Sequence, residues 1–107
     1  MARFGELLAA RFLAGRGVSI IGRNVRVGRS EIDVVGEVRG RPVAFEVKTV
    51  VVRHPSDDGI YQVSSDKLAA VRRGIRELSR GAGRVDVVTI GLDEDGAAIR
   101  WIRDARW

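Results

Sequence analysis

The chain predicts an α/β fold, one mixed β-sheet flanked by helices, with its elements in the order α-β-β-β-α-β-β. Three observations carry this. Residues 3–15 and about 64–80 repeat apolar residues at helical spacing, whereas five other stretches are strand-like. Gly28-Arg29 and Arg39-Gly40 join the first three strands by short turns, which makes them antiparallel neighbours. The second helix lies between the third and fourth strands and permits a crossover, so the sheet is mixed. With 107 residues, 45% apolar and 31% charged, the chain fits one domain over residues 1–107 with a single core.

In the first helix, Phe4, Leu8 and Phe12 form one apolar stripe, with Gly5, Ala9 and Leu13 beside it. Gly15 and Gly17 end it, and its small residues allow a close approach to a sheet. Glu6 falls at the border of the stripe, within reach of the sheet edge. The strands follow at Val18–Val25, Glu31–Val38 and Val43–Val52. In the last of these Val43, Phe45 and Val47 share one face, and Glu46 and Lys48 the other. Residues 53–63 contain His54-Pro55 and Asp57-Asp58-Gly59 and are expected to form an irregular loop. Ser64 or Ser65 caps the second helix, whose core face is Leu68, Val71, Ile75 and Leu78. Strands at Val85–Ile90 and Ala97–Ile102, joined by the Asp93–Gly96 turn, complete the order.

The hairpin formed by the second and third strands carries the chemistry. A turn centred between Arg39 and Gly40 sets Asp33 opposite Glu46, and Glu31 opposite Lys48. Such pairs share a face, with Cβ atoms roughly 4.5–5.5 Å apart. Two carboxylates at about 5 Å repel by roughly 3 kcal/mol at an effective dielectric near 20. A divalent cation between them removes that cost. Mg²⁺ or Mn²⁺ suits one or two carboxylates plus waters and phosphate oxygens, and the Val47 carbonyl offers a third protein ligand. Phosphodiester hydrolysis needs such an ion. Lys48 then orients the attacking water or stabilises the charge at phosphorus, and Glu6 completes the site through water. The bland alternative is a solvated face on which Glu31 and Lys48 form a cross-strand ion pair. Register decides between them, because a slip of one residue sends the two carboxylates to opposite faces.

Charge points to the partner. Seventeen of nineteen basic residues are arginine and the net charge is +5, which favours a polyanion such as DNA. All of the excess lies in residues 1–54. Candidate phosphate contacts are Arg26 and Arg29, Gln62 and Lys67 at the start of the second helix, and Arg72, Arg73 and Arg76 along its outer arc. The arc also fits a solvated helix face with an Arg73–Glu77 pair. Tyr61 fits either stacking on a base or covering a core edge, and Trp101 and Trp107 fit packing the core, stacking on nucleic acid or a dimer contact. There are no cysteines, which excludes disulfides and thiolate chemistry. No apolar run is long enough to cross a bilayer, no signal peptide is evident, and a cytoplasmic location is expected.

Several of these segments resemble the YraN-like family: Gly5-Glu6 with Ala9-Ala10 and Leu13, Arg23-Asn24-Val25-Arg26, Glu31-Ile32-Asp33, Phe45-Glu46-Val47-Lys48-Thr49, Arg84–Val88 and Trp101–Ala105. These small bacterial proteins are described as endonuclease-like and are distantly similar to archaeal Holliday-junction resolvases. The resemblance covers nearly the whole chain. It implies a restriction-endonuclease-like core and a PD-(D/E)xK-type nuclease site, in which Glu6, Asp33, Glu46 and Lys48 are the site residues. Gln62 lies where related nucleases place a helper polar group. Ser30 departs from the family's glycine before Glu-Ile-Asp, and Val50 from the arginine after Lys-Thr.

The expected function is therefore metal-dependent cleavage of DNA phosphodiesters, at branched or distorted structures. By analogy, a symmetric homodimer suits a substrate with two equivalent strands. The alternative is a nucleic-acid-binding protein that keeps the nuclease fold without cutting, and a third reading is an adaptor whose basic surface meets an acidic protein.

Overall fold

A computed structural model describes residues 2–107. Helix α1 (Ala2–Gly15) is followed by β1 (Ser19–Val27), β2 (Ser30–Val38) and β3 (Arg41–Val51). A 3₁₀ turn at Gly59–Gln62 then leads into α2 (Ser65–Leu78), β4 (Arg84–Asp93) and β5 (Gly96–Ile102). The five strands form one sheet in sequence order, antiparallel except for the parallel β3–β4 pair that α2 crosses over. This is the predicted α-β-β-β-α-β-β order, consistent with a restriction-endonuclease-like core.

The Arg39-Gly40 turn takes positive φ at both residues, 53° and 78°, as a tight two-residue hairpin requires. It sets the predicted register: Val38 pairs with Arg41 and Val34 with Phe45. One face of the sheet packs on α1 through Val34, Val43, Phe45, Val88 and Ile90. The other packs on α2 through Ile32, Val35, Ala44, Val85 and Val87.

Both helices differ in detail from expectation. In α1 the buried stripe is Ala9 and Leu13, while Leu8 and Phe12 are partly buried and Phe4 is 53% exposed. The reason is Gly5. A Cβ there would collide with Thr49 Oγ1, so the helix rests on its small-residue stripe and turns the bulkier one outward. In α2, capped by Ser64 Oγ accepting from Lys67 N, Leu68, Val71 and Ile75 are buried. Leu78, expected in that row, ends the helix and is 49% exposed. The loop expected over 53–63 includes the 3₁₀ turn, started by Asp58 accepting from Ile60 N at 3.0 Å.

Candidate active site

The β2–β3 ladder stops at Val34–Phe45. Beyond that rung β2 continues paired only to β1, and β3 only to β4, so the sheet opens into a cleft. Side-chain alternation also slips there: Ile32 faces α2 and Val34 faces α1. Asn24 on β1 lies between the rungs Arg23–Val34 and Val25–Ile32, in the left-handed region at φ 52°. Asp33, at the slip, turns its carboxylate across the gap and accepts the Val47 N–H at 2.9 Å. A side-chain bond replaces the missing ladder bond. The N–H and C=O of one strand residue project to the same edge, so the Val47 carbonyl faces the gap as well.

The cleft encloses about 290 Å³ and is lined by Glu6, Asp33, Glu46, Val47 and Lys48 with Thr49–Val51. Glu46 shares its face of β3 with Val87 of β4, and Lys48 shares it with Thr89. Glu6 enters from the α1 side, drawn to the strand by the close approach at Gly5. The predicted convergence of Glu6, Asp33, Glu46, Val47 and Lys48 is therefore observed. The Asp33 and Glu46 carboxyls lie close enough to share a hydrogen bond when one is protonated. One expected contact is absent. Glu31 is paired with Arg26 across β1, at 4.0 Å, and not with Lys48, because the strands have already separated at that level.

The electrostatics follow from burial. Glu46 is 8% exposed; desolvation first, and then the Asp33 charge, push its carboxyl up to about 8. Desolvation also raises Asp33, against the Val47 N–H and the Lys67 ammonium, which favour its charged form. Glu6 is raised chiefly by burial, then by Asp33 and Glu31. Oε2 of Glu6 and of Glu46, and Oγ1 of Thr49, are buried without a hydrogen-bond partner in the protein. A buried carboxylate oxygen left unsatisfied is costly. Such oxygens lining one cleft suit a cation.

Among the described residues, no group of three or more His, Cys, Asp or Glu converges at metal-ligating spacing. Two carboxylates and a backbone carbonyl, with Glu6 behind them, could hold Mg²⁺, which accepts a sparse set of protein ligands.

The residues expected to meet nucleic acid divide into three groups. Lys67, placed in the sequence as a phosphate contact, stands near the acid pair, and its charge acts on Glu46 ahead of that of Lys48. Gln62 lines a neighbouring hollow with Tyr61. Arg72 and Arg76 join Arg41, Arg84 and Arg106 around a separate cleft of about 350 Å³. Arg26, Arg29 and Arg73 are exposed and line none of these hollows. Trp101 belongs to the core: it packs edge-on against Phe45, and its Nε1 donates to Asp86 at 2.8 Å. His54 lies in the loop, its backbone N–H bonded to Asp57, as a surface residue would. No described helix is long and apolar enough to cross a membrane.

The model of a family described as "Uncharacterised protein family UPF0102" matches residues 5–90, the span that holds the whole cleft. A UPF0102 protein of Streptomyces coelicolor is 36% identical over 110 residues, covering 92% of this chain and 82% of its own. One from Chlorobium limicola is 38% identical over 99 residues, covering 87% and 76%. One from Aquifex aeolicus is 38% identical over 73 residues, covering 68% and 67%. With the family model spanning most of the fold, and relatives aligned along most of their length, the chain belongs to the UPF0102 family.

Proposed function

We propose that the cleft is the active site of a metal-dependent nuclease that hydrolyses DNA phosphodiesters. The observation that carries this is the pair of buried, partnerless oxygens, Glu46 Oε2 and Glu6 Oε2, in a cleft that also draws in Asp33. Asp33, Glu46 and the Val47 carbonyl would hold Mg²⁺ or Mn²⁺, with Glu6 acting through water. The bound ion supplies Lewis acidity at the phosphate and lowers the pKa of a coordinated water. The protein's residues do the rest. Asp33 is fixed by the Val47 N–H, so its free oxygen keeps one orientation. Lys48 and Lys67 place two ammonium charges near Glu46, where the phosphate's extra negative charge develops. The stem of Lys48 packs under the 3₁₀ turn at Gly59, which restrains its reach.

The PD-(D/E)xK resemblance and the relation to Holliday-junction resolvases agree with this arrangement, as does a basic chain of net charge +5. One observation favours the second reading, a nucleic-acid-binding protein that does not cut. Among the described residues, no three His, Cys, Asp or Glu side chains stand at metal-ligating spacing.

A panel of single-stranded, duplex, flap and four-way DNA, incubated with Mg²⁺, Mn²⁺ or EDTA, separates the two readings. The nuclease requires metal-dependent cleavage by wild type that Asp33→Ala and Glu46→Ala abolish while DNA binding persists. Equal nicking by wild type and both variants would remove the catalytic reading.

A further inference from the structure

The arginine cleft is not part of the acid site. Arg41 and Glu46 are five residues apart on β3, about 16 Å at strand rise. The cleft is built from four separate segments: Arg41 from β3, Arg72 and Arg76 from α2, Arg84 from β4, and Arg106 beyond β5. Of these, Arg84 is bound to buried Asp86 at 2.9 Å, and Arg106 to Asp104 at 3.0 Å. Arg72 donates to the Ala105 carbonyl at 2.7 Å, which holds it without neutralising it. Five guanidiniums thus face two carboxylates, Asp86 and Asp104, and three positive charges remain unmatched.

The cleft is also connected to the acid site. Trp107 lines it, and Trp107 also lines an apolar hollow with Ile60, Tyr61 and Val63. Tyr61 borders the next hollow with Gln62 and Thr49–Val51, and Thr49–Val51 line the acid cleft itself. Four depressions therefore share walls in sequence, from arginines to carboxylates. Two aromatic side chains stand along the way. Tyr61 is 84% exposed, and Trp107 is 41% exposed with its Nε1 anchored to the Val63 carbonyl at 2.7 Å.

We infer that this chain of hollows is a track for an unpaired nucleic-acid strand, with phosphates held at the arginine cleft and bases stacked on Trp107 and Tyr61 before the strand reaches the acid pair. The inference rests on the nuclease reading only for what happens at the far end. A positive cleft for phosphates that leads onto exposed aromatics suits a single strand, because stacking needs a base not already stacked in a duplex. The acidic residues beside Tyr61 agree with a base there and not a phosphate. Asp58 is engaged by Arg100 at 2.7 Å, and Asp57 accepts the backbone N–H groups of Arg53 and His54. An acidic protein would use the arginines but would have no need of the aromatic pair.

Fluorescence anisotropy in EDTA tests this without requiring cleavage, with a labelled short oligothymidylate and a labelled duplex hairpin as probes. Wild type should bind the oligothymidylate about tenfold more tightly than the hairpin. Tyr61→Ala should weaken the oligothymidylate by about tenfold and leave the hairpin nearly unchanged. Arg41→Gln with Arg76→Gln should reduce the slope of log affinity against log salt by about 1.4, the value for two phosphates on a single strand. All three side chains lie at the surface, and circular dichroism confirms that the variants fold. Hairpin and oligothymidylate binding equally, or Tyr61→Ala binding like wild type, would overturn the track. So would polyglutamate displacing the oligothymidylate at equal charge with no loss in Tyr61→Ala. If Asp33→Ala abolishes cleavage while these variants bind as wild type, the track fails and the nuclease stands; the converse pattern leaves the track without the nuclease.

Discussion

Glu46 is the residue on which the site's chemistry turns. Its carboxyl titrates near 8 in the folded chain because burial and Asp33 both oppose its charge. Asp33 and Glu6 are shifted in the same direction. The folded state then binds more protons than the unfolded state between the ordinary carboxylate range and about pH 8, so stability falls as pH rises across that window. Asp57 and Asp104 are held low, and their effect lies at more acid pH. Thermal melting of metal-free protein from pH 5 to 8 should show Tm falling, with a flatter profile in Glu46→Gln. An unchanged slope in that variant would contradict the assignment. Added Mg²⁺ should raise Tm more at pH 8 than at pH 5, because binding displaces the proton. The turn at Arg39-Gly40 made the acid pair legible by fixing the register as far as Val34–Phe45, but the expected Asp33–Glu46 rung itself does not form, because the strands part there. The place of Lys67 beside the pair was not legible, since only tertiary packing brings the start of α2 to the gap.

At the scale of elements, the site exists because two strands stop pairing and one helix comes unusually close. Hydrophobic alternation foretold the strands, but not that β2 would leave β3 after the Val34–Phe45 rung. The signal lies in Asp33 itself, a carboxylate able to take the Val47 N–H that the ladder gives up. The loss of pairing also explains why the expected Glu31–Lys48 contact failed. The helix approach depends on Gly5. Gly5→Ala improves helix propensity by up to about 1 kcal/mol. It also drives a methyl group into the Thr49 side chain, whose Oγ1 is buried, which costs about 1–3 kcal/mol. Chemical denaturation should show net destabilisation, and Thr49→Ala in the same chain should recover most of it. Destabilisation that Thr49→Ala leaves untouched would place the strain elsewhere. The apolar stripe led by Phe4 lies away from the closest contact for the same reason: apolar bulk in the sequence does not show how closely a glycine–alanine face can sit.

Across the whole molecule, one buried carboxylate ties the last two strands to the C-terminal segment. Asp86, 0% exposed, accepts from Arg84, from Trp101 Nε1 and from Asp104 N. Asp86→Ala leaves the Arg84 charge and the indole N–H without their partner, and should cost about 3–5 kcal/mol in denaturant unfolding. A loss below about 1 kcal/mol would show the network to be dispensable. The same segment carries Arg106 and Trp107, so this variant should also weaken the oligothymidylate binding proposed above. Net charge and arginine content foretold a polyanion partner. The arginine cleft itself was hidden, because its members lie far apart in the chain and only Arg72 and Arg76 belong to one helix face.

In the proposed mechanism everything depends on capture of a divalent cation by the Asp33–Glu46 couple. Titrating the protein with Mn²⁺ and following the free ion by electron paramagnetic resonance measures this directly, whether or not any substrate is known. Wild type should take up one Mn²⁺ per chain in competition with Mg²⁺, and Asp33→Ala and Glu46→Gln should lose that uptake. Undiminished binding in both variants, or none in wild type at pH 8, would contradict it.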